Sequence, residues 1–112
     1  MGAKTYKDLV FRQLCNELRQ KIIAFTSCEP ARSHRRFSDH IREAVCVACS
    51  NAAEGFGHRT HAEFAQFMSV ARASVMETQD RLDEALQSGY IAQAGYDDLV
   101  HSPAGRSEPA QS

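Results

Sequence analysis

A chain of 112 residues with 43% hydrophobic and 24% charged residues is long enough for one modest core and too short for a second domain. The net charge of −1 excludes a global electrostatic pull toward nucleic acid or membrane. Any such attraction must be local, and the charge is unevenly placed: residues 1–62 carry ten Lys/Arg against six Asp/Glu, residues 63–112 three against eight.

The opening Met1–Gly2–Ala3–Lys4–Thr5–Tyr6–Lys7 has no apolar core of a secretory signal, and no run approaches membrane-spanning length. A cytoplasmic protein without membrane contact, its four cysteines reduced, is therefore expected. A first helix is expected over about 7–27, where Phe11, Leu14, Cys15, Leu18, Ile22 and Phe25 recur at helical spacing. Cys28–Glu29–Pro30 breaks it, because proline disfavours helix in the residue before it. Ala31 to Arg36 then reads as a basic loop.

The second helix is expected over about 37–54. Phe37, Ile41, Ala44 and Val45 face inward, and between Ala44 and Ala53 only Ser50 and Asn51 are polar. A helix apolar nearly all round is covered on more than one side. In a chain this small its own neighbours cover part of that circumference, and a second subunit is the natural cover for the rest.

A corner follows, built from Asn51, Glu54, Gly55, Gly57, Thr60 and Glu63. Gly55 and Gly57 are expected to stop the helix in the left-handed conformation, and Thr60 with Glu63 reads as a capping box. Glu54 faces the negative end of a helix dipole, so a cation or amide is expected beside it. Asn51 is expected to be satisfied within the helix packing.

The third helix spans about 61–88, with Phe64, Phe67, Ala71, Val75, Thr78, Leu82 and Ala85 as its inner seam and Gly89 as its stop. A short fourth helix over about 92–101 carries Tyr96, Leu99 and Val100. Residues 102–112, with no apolar side chain larger than alanine or proline, read as a disordered tail. The pattern predicts an all-α antiparallel up-and-down four-helix bundle over residues 1–101, with a short fourth helix.

Several residues in this pattern carry a family resemblance. Tyr6–Lys7–Asp8–Leu9, Ile41–Arg42, Ser50–Asn51–Ala52–Ala53–Glu54–Gly55, Gly57, Glu63–Phe64, Ser74, Glu77 and Gly89–Tyr90–Ile91 resemble the four-helix-bundle family of the bacterial ribosomal-RNA intervening-sequence proteins. The resemblance implies a small cytosolic homo-oligomer, a barrel-shaped pentamer, with no catalytic activity and no cofactor. A related branch is the accessory protein of diversity-generating retroelements, which implies contact with nucleic acid and with a nucleic-acid enzyme. The chain departs from the family in having Cys49 where a proline is common, and in its shortened fourth helix.

Three groups of residues have the types that chemistry needs. Cys46 and Cys49 form a C-x-x-C on one helix face, but Cys15 and Cys28 stand apart, so no second pair completes a zinc site. The plainer reading is small buried core residues, and no metal is expected. Arg35 with His40 has a spacing found in helical-bundle ribonucleases, where the pair would hold a phosphate and move a proton. Chance alone supplies about one such match, and a solvated loop is the plainer reading.

Arg32, His34, Arg35, Arg36 and Arg42 cluster at one end of the second helix, and His58, Arg59 and His61 lie roughly 30 Å away at the other. Within one subunit they cannot form one patch. Arg32, Arg35, Arg36, Arg42 and Arg59 are the candidates for phosphate contact, repeated around a ring of copies. The expected function is that of an oligomeric binding or adaptor module associating with nucleic acid or a nucleic-acid enzyme. The alternatives are a ribonuclease using Arg35 and His40, and a structural oligomer with a protein partner.

Overall fold

The computed structural model describes residues 4–57 and 60–100. These form four α-helices, α1 (Tyr6–Thr26), α2 (Arg35–Phe56), α3 (His61–Ser88) and α4 (Gln93–Val100), with a 3₁₀ turn at Ala31–Ser33. The all-α four-helix expectation is met. No helix among the described residues is long and apolar enough to cross a membrane. The proposed tail, residues 102–112, lies outside the described residues, as do His58 and Arg59.

Helix α1 starts from a complete capping box at Thr5. The Thr5 hydroxyl accepts the Asp8 amide at 3.2 Å, and an Asp8 carboxylate oxygen accepts the Thr5 amide at 3.0 Å. At its other end Thr26 donates back to the Ile22 carbonyl at 2.8 Å. The linker does not run on as a loop to Arg36. Ala31 is fully buried and anchors the 3₁₀ turn, Ser38 Oγ donates to the Ala31 carbonyl at 2.8 Å, and α2 is already under way at Arg35. Arg35 and Arg36 therefore belong to the first turn of a helix, two residues earlier than the sequence reading placed it.

The core divides into three clusters along the length of α2. At its N-terminal half, Phe37, Ile41 and Val45 meet Leu18 and Ile22 of α1, Leu82 and Ala85 of α3 and Leu99 of α4. At the waist, Cys15, Ala48 and Val75 meet. At the far end Ala52 packs with Phe64, Met68 and Ala71, with Phe11 and Phe56 against them. Each large side chain buried here stabilises the fold by about 1.5–3 kcal/mol, before ordering costs. The small waist residues bring the helix backbones together.

Over its described residues helix α4 makes two turns and contributes one fully packed residue, Leu99. The Tyr96 hydroxyl bonds to Asp83 of α3, and Lys21 of α1 lies 3.9 Å from Asp98. The remaining, distal part of the bundle is closed by cations over aromatic faces. Arg72 sits 4.8 Å from the Phe11 ring and 3.6 Å from Asp8, and Arg12 sits 5.4 Å from Phe56.

Two glycine expectations are corrected. Gly55 is a buried residue inside α2, and Gly57, which ends it, has φ −88°. Neither is left-handed. A Cβ on Gly55 would stand 3.2 Å from Phe67 Cβ and 3.4 Å from Phe64 Cδ1, so this glycine serves the close approach of α3 to α2. Lys4 Nζ donates to the Phe56 carbonyl at 3.2 Å and supplies a cation at the C-terminus of α2. Thr60 accepts the Glu63 amide at 3.1 Å, one half of the capping box expected there. Gly89, with φ 79°, is the left-handed stop expected of it.

Candidate nucleic-acid interface

The feature with most chemical content lies at the N-terminus of α2. A surface cleft of about 470 Å³ is lined by His34, Arg35, Arg36, Phe37 and His40 from α2 and its cap, Arg81 and Glu84 from α3, and Tyr90 just beyond α3. Two local rules build it. Proline, the buried Ala31 and the 3₁₀ turn bring the chain around so that α2 starts at Arg35. The α3 terminus closes as a Schellman motif, with Gly89 N–H bonded to Leu86 O at 3.3 Å and Tyr90 N–H to Ala85 O at 2.8 Å. That closure sets Tyr90 beside the start of α2.

His34 occupies the N-cap position but makes no side-chain cap bond. Its imidazole instead stacks on Tyr90, with centroids 4.0 Å apart and planes 23° apart. Tyr90 packs on Phe37 at 5.1 Å, and Phe37 on Phe25 at 6.1 Å. The start of α2 thus lies at the cleft without a side-chain capping oxygen, where the helix dipole favours an anion. Arg35 and Arg36 are exposed and enter no ion pair among the described residues. Arg81 is partly neutralised, with Nη1 3.1 Å from Glu84 and Nη2 4.0 Å from Glu77.

The candidate arginines separate by role. Arg35 and Arg36 line the cleft. Arg32 does not: its Nε donates to Glu29 at 3.0 Å, and that carboxyl, which also accepts Ser33 Oγ, is held below the usual carboxylate range by Ser33 and Arg32. Arg42 is turned into the C-terminus of α1, donating to Thr26 Oγ1 at 2.6 Å and to Ser27 Oγ at 3.0 Å. It completes a helix end that has no basic residue of its own in its last turn. Arg59 lies outside the described residues. His61 is exposed at the first position of α3.

Asn51 Nδ2 donates to the Val47 carbonyl at 2.8 Å, the satisfied amide expected of it. The cysteine reading is corrected in part. Cys15 is fully buried and Cys49 half-buried, its thiol 3.2 Å from the Cys15 carbonyl, but Cys46 is exposed. The two thiols of the C-x-x-C differ because α2 turns only one of them toward α1. Among the described residues no three His, Cys, Asp or Glu side chains gather into a metal-binding group.

Arg35 and His40, paired in the sequence by spacing alone, line the same cleft. Arg81 and Tyr90 were not singled out as site residues. Arg81 sits in an i,i+3 and i,i+4 charge pattern that reads as an exposed helix face, and Tyr90 as a residue after a helix stop. The description of the 23S rRNA-intervening sequence protein family matches residues 7–102. No curated protein matches the chain, and neither does any solved structure.

Proposed function

The chain belongs to the 23S rRNA-intervening sequence protein family, and from that premise we propose that it is a self-associating helical-bundle binding protein whose ligand is nucleic acid. The cleft at the start of α2 carries the reading. It combines an uncapped helix N-terminus with Arg35 and Arg36, both exposed and free of ion pairs among the described residues, and with His34 and His40. Such a group suits phosphate oxygens, because backbone amides and charged side chains converge on one point. With a net charge of −1 for the chain, one cleft binds weakly. Several copies on an oligomer would multiply it through effective concentration.

The test is a fluorescence-anisotropy titration of single- and double-stranded oligonucleotides at low and moderate salt. Binding should fall steeply with salt, because each neutralised phosphate releases counterions. Arg35→Glu with Arg36→Glu should weaken it by about tenfold or more at low salt, two contacts being reversed in sign. The melting temperature should not change, because both side chains are exposed. Absence of binding at low salt would leave a protein-binding adaptor. The presence of Arg35 and His40 in one cleft supports a second reading, metal-independent RNA cleavage. The same RNA samples run on a denaturing gel, with wild type and His40→Ala, decide it: intact RNA in both retains the binding reading.

A further inference from the structure

The cleft has one component that phosphate binding does not require. Phe25, Phe37, Tyr90 and His34 form a continuous aromatic ladder that rises from the core to the surface, with successive centroids 6.1, 5.1 and 4.0 Å apart. Phe37 is buried, Tyr90 half-buried and His34 exposed. One face of the imidazole is therefore held against Tyr90, and the residue is exposed. Its orientation is fixed from below by packing and is not set by a capping bond. An exposed, preoriented ring loses little freedom when a second flat group lies on it. Next to that ring in the chain stand Arg35 and the start of α2, which has no side-chain cap.

We propose that this cleft seats one nucleotide of a single strand, with the base stacked on the other face of His34 and the adjoining phosphate held by Arg35, Arg36, His40 and the start of α2. The inference rests on the nucleic-acid reading above and adds to it the form of the ligand. A base inside a duplex is covered on both faces by its neighbours, so it cannot offer a face to His34 without leaving the stack. An unpaired base can, and aromatic platforms beside cationic grooves are the usual means of holding single strands. Because every base has a π-face, the seat should tolerate any sequence. The cleft volume of about 470 Å³ lies within the range of sites that hold a ligand of this size.

The test uses the full chain and a 12-nucleotide single strand, as RNA and as DNA, carrying 2-aminopurine at its centre, with the matched duplex as comparison. Stacking quenches the 2-aminopurine fluorescence, and anisotropy reports affinity in the same sample. Wild type should prefer the single strand and quench it. His34→Ala should lower single-strand affinity by about tenfold, the usual effect of losing one base stack, and remove the quench, with a smaller loss on the duplex. His34→Phe, which keeps a ring, should preserve both signals. His34→Lys, which has a charge and no ring, should not. Unchanged single-strand binding in His34→Ala, or rescue by lysine and not by phenylalanine, would overturn the stacking seat while leaving salt-dependent binding in place. Absence of any binding by wild type would overturn the nucleic-acid reading itself, and the seat with it.

Discussion

Burial pushes the Cys15 thiol up to about 12, and the nearby Cys49 thiol is raised as well, chiefly by its own burial. Cys28 and Cys46 are exposed. A thiol titration with an aromatic disulfide at pH 8 should therefore find two fast groups and two that wait for unfolding, since the thiolate is the reactive form. Four fast groups would mean that the waist is open in solution. The same burial has a pH consequence. Above roughly pH 9 the unfolded chain gives up the Cys15 proton, its thiol titrating near 8.5, while the folded chain keeps it. The folded state then binds more protons, so stability falls as pH rises through that range and is unaffected below about pH 8. At this scale the basic residues also lose their equivalence. Arg32 answers Glu29, Arg42 closes α1, and Arg35 and Arg36 alone of that group face the cleft.

The three glycines at helix ends have separate jobs, and substitution should distinguish them. Gly89 has φ 79°, so Gly89→Ala should cost roughly 1–2 kcal/mol, the penalty of a Cβ in the left-handed region. Gly57 has an ordinary φ, and a Cβ there meets only the Glu54 carbonyl at 3.4 Å. Gly57→Ala should be neutral or stabilise by up to about 1 kcal/mol, by restricting the unfolded chain. Gly55 is crowded by Phe67 and Phe64, so Gly55→Val should cost roughly 1–3 kcal/mol through overpacking. Thermal melts order the three. If Gly57→Ala proves the most damaging, the turn it ends is not the one described. The α2–α3 corner is thus held by close helix approach and by the Thr60 cap, not by left-handed glycines at the end of α2.

The molecule is thin, with extents of 45 × 31 × 17 Å, and α4 covers only one end of it. On α2 the exposed side presents Cys46, Ser50 and Ala53, with Val47 half-exposed, and on α3 Val70 and Met76 are 41% and 55% exposed. Small residues permit close helix approach, and exposed apolar side chains favour a covered state. The proposed self-association should appear in light scattering at micromolar concentration as a mass several times 12.4 kDa. Ser50→Arg should reduce that mass if the α2 face is where copies meet, because a long charged side chain cannot be buried there unpaired. A 12.4 kDa species at every concentration tested would remove the oligomer, and with it the multiplied binding of the cleft.

The number of helices among the described residues, the start of α3 at Thr60, its stop at Gly89 and the satisfied amide of Asn51 were all legible in the chain. Each depends on periodicity or on bonds between residues a few positions apart, so a short window of sequence contains both partners. The start of α2 at Arg35 was less legible, because a buried alanine in a proline-led 3₁₀ turn resembles any basic loop. What only the tertiary structure decided lies between helices. Arg42 reaches Thr26 from sixteen residues away, Gly55 fits under Phe67, and Tyr90 lies against His34. Such pairings depend on which helix faces meet and at what height, and that is set by packing of the whole core, not by the residues that pair. Composition could place five arginines in the running for phosphate. Packing assigned two of them to the cleft and put a ring beside them.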